Sequence, residues 1–370
     1  MKLPTLSRTP TARPSSAARP RLILHAGSQK TGTTAIQFAM SENRDHLRAQ
    51  GIWYPAIADF FPVNPKLSSA RAHFAFANAV VSDTRRDNKR LARLLDAAAT
   101  QPAGIDTILL SAETLFRLVA KRSPDDGRGK SKEIWHDRRM RYLGHLAELT
   151  ADFDTEVLLY LRRVDRYAVS LYAESIVKTD KTWGFRTFLR ALNHRFDYRQ
   201  TIDEFAAHFP VRLRNFEEAS ANGLVESFCD DIGLRVPLPD TPERRRPSVS
   251  NTGLLWLRRA KRKNQNMSEI ERSRRWHFAL RPENADLFAL DTRTSLWPDR
   301  ATRDAFIAHN QAGVTEIAFP EPVDDPAPKP RWSKREHRAA ERRFDAWQRA
   351  NAAAIRKRER AKIPPHVLDP

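Results

Sequence analysis

Cysteine is almost missing from this 370-residue chain: Cys229 is the only one. A single thiol rules out an intramolecular disulfide and fits a reducing compartment. It also rules out the paired-cysteine zinc motifs, and no HExxH or GxSxG pattern replaces them. No run of about 18 apolar residues occurs, so the sequence offers no membrane-spanning helix. The first twenty residues, MKLPTLSRTPTARPSSAARP, lack the apolar stretch of a secretory signal and read as a basic disordered arm. From these absences a cytoplasmic protein is expected. Glycine is scarce as well, with only 12 in the chain, so each glycine-containing turn carries information.

What is abundant is positive charge, +19 overall, but it sits mainly at the ends. Residues 1–21 carry five cations and no acid, and residues 331–370 carry twelve Lys and Arg against five Asp and Glu. The middle of the chain is only mildly basic. Such a balance attracts anionic partners without naming them.

Apolar runs at 22–24, 106–111, 156–161 and 211–216 read as strands, with helical stretches at 33–47, 71–100, 133–150, 165–172 and 218–230 between them. Gly51 ends the first helix, and IWYP (52–55) begins an extended segment. Strands alternating with helices predict an α/β fold: a central parallel sheet flanked by helices in three layers. The expected organisation is a basic arm over 1–20, an α/β domain over 21–319, a Pro-rich linker over 320–332 and a basic helical tail over 333–370. In the tail, Phe344, Trp347, Ala350 and Ile355 fall on one side of a helix.

The stretch LILHAGSQKTGTTAIQ (22–37) is strand, glycine turn, helix, the arrangement that aims backbone N–H groups and a helix N-terminus at an anion. Gly27 and Gly32 permit the tight path, and Thr33 and Thr34 add hydroxyl donors. An ATP-binding loop needs G-x-x-x-x-G-K-[ST]; counted from Gly27, its lysine position holds Thr33, and the lysine is Lys30 instead. Nor do the later strands end in a magnesium-holding aspartate: one runs into Ala112 and Glu113, the other into Arg162. A nucleoside triphosphatase is disfavoured.

HAGSQKTGTTAIQ, followed by NRDHLRAQGIWYP (43–55), resembles the opening of the bacterial P-loop sulfotransferase family. The resemblance extends over about residues 21–260. It implies that Lys30, Thr31, Gly32, Thr33 and Thr34 bind the 5′-phosphosulfate of 3′-phosphoadenosine 5′-phosphosulfate (PAPS), the co-substrate. Lys30 would then stabilise charge on the leaving bridging oxygen. YLRRVDRYAVSLY (160–172) matches the family's second signature, an arginine at a strand end and a serine eight residues later that grip the 3′-phosphate. Arg162 and Ser170 have that spacing. The usual Asn-Pro after the arginine is replaced by Arg163-Val164, which leaves Arg163 as a rival ligand. No metal is expected.

Transfer to a hydroxyl calls for a base. In ILLSAETLF (108–116), Glu113 lies just past a core strand, as the family's catalytic acid or histidine often does, with Ser111 in support. His25 and His73 are alternatives, each with a structural role as the plainer reading. The stretch 243–262 resembles the family's nucleotide-closing loop, with Arg244–Arg246 as cations and Ser248 or Ser250 as helix cap. The resemblance therefore implies sulfuryl transfer from PAPS to a hydroxyl acceptor. Loops at 56–75 and 121–141, with Lys121, Arg122, Arg128, Lys130, Lys132, Arg138 and Arg139, suggest a glycan or glycolipid, anionic in character. The competing reading is a non-catalytic nucleotide- or anion-binding relative whose basic ends hold nucleic acid or the inner face of a membrane. No specific nucleic acid is expected.

Overall fold

The computed structural model describes residues 19–28, 31–63, 70–82, 84–123, 132–239, 249–288, 296–321, 334–353 and 355. Its chain divides into two compact units. The first comprises residues up to Tyr167, His194–Arg245 and Asn310–Pro320; the second comprises Ala168–Asn193, Arg246–His309 and the chain from Glu321.

The first unit is built on five parallel strands: β1 (Arg21–Gly27), β2 (Ile52–Trp53), β3 (Thr107–Ser111), β4 (Asp154–Leu161) and β5 (Val211–Asn215). They lie in the order β2-β3-β1-β4-β5. Thus Ile23 pairs with Leu109 on one side and Glu156 on the other, and Gly27 pairs with Tyr160. From Leu22, Thr107 and Val157 onward the three inner strands are mainly apolar and buried on both faces, as parallel strands covered by helices require. The expected α/β class, a parallel sheet between helical layers, is the fold observed.

Helices α1 (Thr33–Glu42), α2 (Arg44–Ala49), α3 (Phe74–Ala79), α4 (Arg85–Ala99) and α5 (Lys132–Leu149) follow in the first unit. Helix α6 (Val164–Lys178) starts there and continues into the second unit, which also holds α7 (Phe185–Ala191). Helices α8 (Tyr198–Ala206), α9 (Phe216–Ala221) and α10 (Leu224–Ile232) return to the first. One core cluster packs Ile36 and Met40 of α1, Ile23, Leu109, Leu158 and Tyr160 of the strands, and Phe228, Cys229 and Ile232 of α10.

Three expected helices are broken, 71–100 among them, which divides into α3 and α4 between Ala79 and Arg85. The stretch 33–47 divides at Asn43, whose side-chain amide donates to the Ala39 carbonyl (2.9 Å) and competes with the helical pattern. The stretch 218–230 divides at Gly223, which takes φ +90°.

The second unit carries α11 (Asn251–Lys263), α12 (Glu269–Leu280), α13 (Ala285–Phe288), α14 (Arg300–Asn310, whose last residue falls in the first unit) and α15 (Lys334–Ala350). Its aromatic core joins Trp256, Phe278, Phe288 and Phe344, with Trp347 packed against it. The tail helix is therefore not an appendage. Its apolar side is core, and the chain passes from the first unit to the second between Pro320 and Glu321, one residue past the expected 319/320 boundary. Residues 1–18, most of the 320–332 linker and residues 356–370 lie outside the described residues.

Candidate active site

In a parallel sheet of this order the chain leaves β1 toward one edge and β4 toward the other, so a crevice opens beyond their carboxyl ends. The loop after β1 is fixed there. Ser28 donates its backbone N–H to the Tyr160 carbonyl of β4 (2.9 Å), and its hydroxyl accepts the Arg162 backbone N–H (2.9 Å). A Cβ on Gly27 would lie 2.8 Å from Thr31 Oγ1 and 2.9 Å from the Tyr160 carbonyl, so only glycine allows this approach. Gln29 and Lys30 lie outside the described residues.

Beyond them, Thr31 is fully buried and its hydroxyl has no partner among the described residues. Gly32 takes the left-handed conformation (φ 63°, ψ 12°) at the start of α1. Among the described residues no side chain caps this helix and its first turn holds no acid; the Ala35 N–H turns back to the Gly32 carbonyl (2.8 Å), and the N–H groups ahead of it are left for another acceptor. An orphaned buried hydroxyl, two close-approach glycines and a bare helix N-terminus form a donor set that fits a phosphosulfate group. Thr34, next in the first turn, is partly exposed.

Two residues past β3, Glu113 opens a short 3-10 turn (Glu113–Phe116). The Thr33 hydroxyl donates to Glu113 Oε2 at 2.6 Å, joining the candidate base to the first residue of α1. Behind this pair, Ser111 is held on every side. Its hydroxyl meets His25 Nδ1 (2.9 Å) and Gln37 Nε2 (3.2 Å). Its backbone N–H donates to His73 Nδ1 (2.8 Å), and its carbonyl accepts the His73 N–H (2.8 Å).

These bonds decide what the two histidines do. A backbone N–H can only donate, so His73 Nδ1 is an acceptor, and Nε2–H is left to donate to the Pro55 carbonyl (3.1 Å). Both ring nitrogens are thus engaged by backbone. His25 is fully buried, with its ring centroid 4.7 Å from Phe228 and 5.5 Å from Tyr160. Burial pushes the His25 imidazole down to about 3. It pushes His73 down to about 4, aided by the nearby Arg44 charge and opposed by the Pro55 and Ser111 backbone bonds. His73 is thus tied at both ring nitrogens, whereas His25 is tied at Nδ1 alone and its buried Nε2 has no partner among the described residues.

The neighbouring arginines separate just as clearly. Arg163 is buried, donates to both oxygens of Asp165 (2.7 and 3.0 Å) and to the Pro320 carbonyl (3.1 Å), and gives its N–H to Glu217 (3.0 Å). The Arg162 side chain is 25% exposed, lies over the Phe216 ring and comes within 3.7 Å of Glu217 Oε1. Burial lowers its pKa, with Glu217 acting against the shift. The Arg162 carbonyl accepts the Tyr198 hydroxyl (2.5 Å). Ser170, half-buried, lies two turns along α6 in the second unit.

The unit thus brings together Gly27, Thr31, Gly32, Thr33, Thr34, Glu113 and Arg162 where the strands end. Sequence reasoning missed Ser28, Gln37 and Glu217. Ser28 stood inside the quoted motif, whereas Glu217 has no local signal at all. Of the expected closing loop, Arg244–Arg246 and Ser248 lie outside the described residues; Ser250 caps α11, accepting from the Gly253 N–H (3.0 Å). Among the described residues no group of three His, Cys, Asp or Glu is placed to hold a metal, and no helix is long and apolar enough to cross a membrane.

No family model matches the chain, and no curated protein matches it. Among solved structures it is similar to the crystal structure of a sulfotransferase from Alicyclobacillus acidocaldarius. The two are 18% identical, with 62% of this chain and 88% of that chain covered, at a TM-score of 0.35.

Proposed function

We propose that the chain is a PAPS-dependent sulfotransferase acting on a hydroxyl acceptor. The observation that carries the reading is the meeting of three strand ends at one uncapped helix: Ser28 after β1, Glu113 after β3 and Arg162 after β4, with Thr33 bonded to Glu113. The loop's N–H groups and the Thr31 hydroxyl receive the 5′-phosphosulfate, and Arg162 pairs with the 3′-phosphate. Lys30 has its place from the sequence motif alone. There it neutralises charge on the oxygen that leaves sulfur, where a fixed cation lowers the barrier most.

Glu113, oriented by Thr33, takes the proton of the acceptor hydroxyl. The acceptor oxygen forms its bond to sulfur as the bond from sulfur to the bridging phosphate oxygen breaks. A sulfate ester and adenosine 3′,5′-bisphosphate result, and Glu113 returns its proton to solvent.

Calorimetric titration with adenosine 3′,5′-bisphosphate tests the nucleotide half. Charge-assisted bonds of about 1.5–3 kcal/mol predict a loss of about 10- to 100-fold in affinity for Arg162→Ala, and a further loss when Lys30→Ala is added. Glu113→Gln is expected to keep nucleotide affinity and lose about 10²–10⁴-fold in transfer from labelled PAPS. A wild-type protein that does not bind the bisphosphate overturns the proposal.

A further inference from the structure

The turn from β5 into α9 flanks the strand-end site across from Glu113, since β3 and β5 lie on either side of the central pair β1 and β4. Asn215 fixes this turn. Its Oδ1 accepts the backbone N–H of Glu217 (2.8 Å) and of Glu218 (3.3 Å), and its amide donates to the Ala318 carbonyl. The two residues that follow Asn215 touch both phosphate elements of the site. A Cβ on Gly32 would lie 3.3 Å from Phe216 Cε2, and the Arg162 guanidinium stands over the same ring, 5.4 Å from its centre. One aromatic ring thus links the turn at Gly32 to Arg162.

Glu217 approaches Arg162 from its other side chain neighbour position, and its two oxygens do different things. Its side chain is only 10% exposed. Oε2 accepts the Arg163 backbone N–H (3.0 Å). Oε1 comes 3.7 Å from Arg162 Nε and has no hydrogen-bond partner among the described residues. A buried carboxylate oxygen without a donor is costly, and the cation that approaches it is Arg162.

The main chain around Arg162 is pinned as well. Its N–H donates to the Ser28 hydroxyl, its carbonyl accepts from Tyr198, and the next N–H goes to Glu217. The course of the long side chain is then set by the Phe216 ring on one side and the Glu217 carboxylate at the Nε edge. A guanidinium can meet one anion along that edge and another along its terminal fork.

We infer that Glu217 is a positioning residue: it steers Arg162 by the Nε edge, and the site thereby selects a nucleotide with a 3′-phosphate over one with a free 3′-hydroxyl. The inference rests on the sulfuryl-transfer reading and deepens its nucleotide half. Setting a rotamer-rich side chain in advance spares an ordering cost worth about 2- to 10-fold in affinity. The glutamate's own charge is offset by Arg162, so its removal weakens binding.

Calorimetric titration of the full chain with adenosine 3′,5′-bisphosphate and, separately, adenosine 5′-monophosphate tests it. Glu217→Gln keeps an oxygen for the Arg163 N–H and removes the charge. It is expected to bind the bisphosphate about 3- to 10-fold more weakly and the monophosphate as the wild type does. Glu217→Asp, which draws the carboxylate back from Arg162, is expected to lose in the same direction, again for the bisphosphate alone. In an Arg162→Ala background, Glu217→Gln is expected to change neither affinity, because the glutamate acts through the arginine. Circular dichroism checks folding. Unchanged or tighter bisphosphate binding in both variants, equal losses for the two nucleotides, or a further loss on top of Arg162→Ala overturns the inference. Such a result in a wild type that binds the bisphosphate removes only the role of Glu217. A wild type that binds no bisphosphate removes the transfer reading, and this inference with it.

Discussion

Ser111 shows how single residues organise this unit. Its main-chain and side-chain groups together engage His25, Gln37 and His73, which holds the end of β3 rigid two residues before Glu113. Holding two imidazoles neutral in the interior makes the fold acid-sensitive. Both have folded pKa values below the ordinary 6.5, about 3 for His25 and about 4 for His73, because burial penalises the cation. Their contribution is complete above pH 6.5 and is lost as pH falls toward those values, since the unfolded chain takes up protons that the folded one refuses. Each site adds a slope of about 1.4 kcal/mol per pH unit between roughly pH 6 and 4. Urea midpoints measured across that range are expected to fall steeply. His25→Phe, which keeps a ring between Tyr160 and Phe228, should reduce the slope by one proton; an unaltered slope refutes this account. The sequence pointed to Lys30, Glu113 and Arg162 because motif spacing is local. It left Arg162 and Arg163 unresolved, because only the contacts of Asp165, Glu217 and Pro320 separate them, and two of those three partners are distant in sequence.

At the level of elements, β1, β3 and β4 were legible because buried parallel strands are short apolar runs between turn signals. The breaks at Asn43 and Gly223 were not, since a side chain bonding back to a carbonyl and one positive-φ glycine leave the hydrophobic period intact. The turn from β1 to α1 depends most on one residue. Gly32 has φ +63°, and a Cβ there would come within 2.2 Å of Leu224 Cδ2 on α10. Left-handed backbone costs a residue with a Cβ about 1–2 kcal/mol, and the overlap adds to that. Gly32→Ala is expected to lower the thermal midpoint and weaken nucleotide binding. Adding Leu224→Ala should relieve the overlap alone, so that stability recovers in part. Full recovery would show that the backbone conformation is not the constraint.

At the scale of the whole molecule, no pattern in the sequence announces a second unit. The helices at 185–191, 269–280 and 300–310 carry no motif, the one at 251–263 reads only as the end of a closing loop, and a basic tail with four spaced apolar residues reads as a solvated or domain-packing helix. In the structure, Phe344 is fully buried, 5.6 Å from Trp256 and 5.2 Å from Phe278 between ring centroids. Arg275 lies over both Phe344 and Trp256 and donates twice to Glu341 (2.9 and 3.0 Å). Phe344→Ala is therefore expected to destabilise the second unit by about 3–5 kcal/mol, and deletion of the chain from residue 334 to expose its aromatic core. Denaturant unfolding followed by tryptophan emission measures the first, and dye binding reports the second. A truncated protein with unchanged unfolding would return α15 to the role of a loose appendage.

Cys229 packs among Ile23, Met40 and Leu158 on the inner side of α10, and burial, with the charges of Glu226 and Asp230, pushes its thiol up to about 12. Two intact copies of this chain cannot join through sulfur, because neither presents a thiolate at its surface. Any covalent pair seen on a non-reducing gel would be a record of molecules that had come apart first.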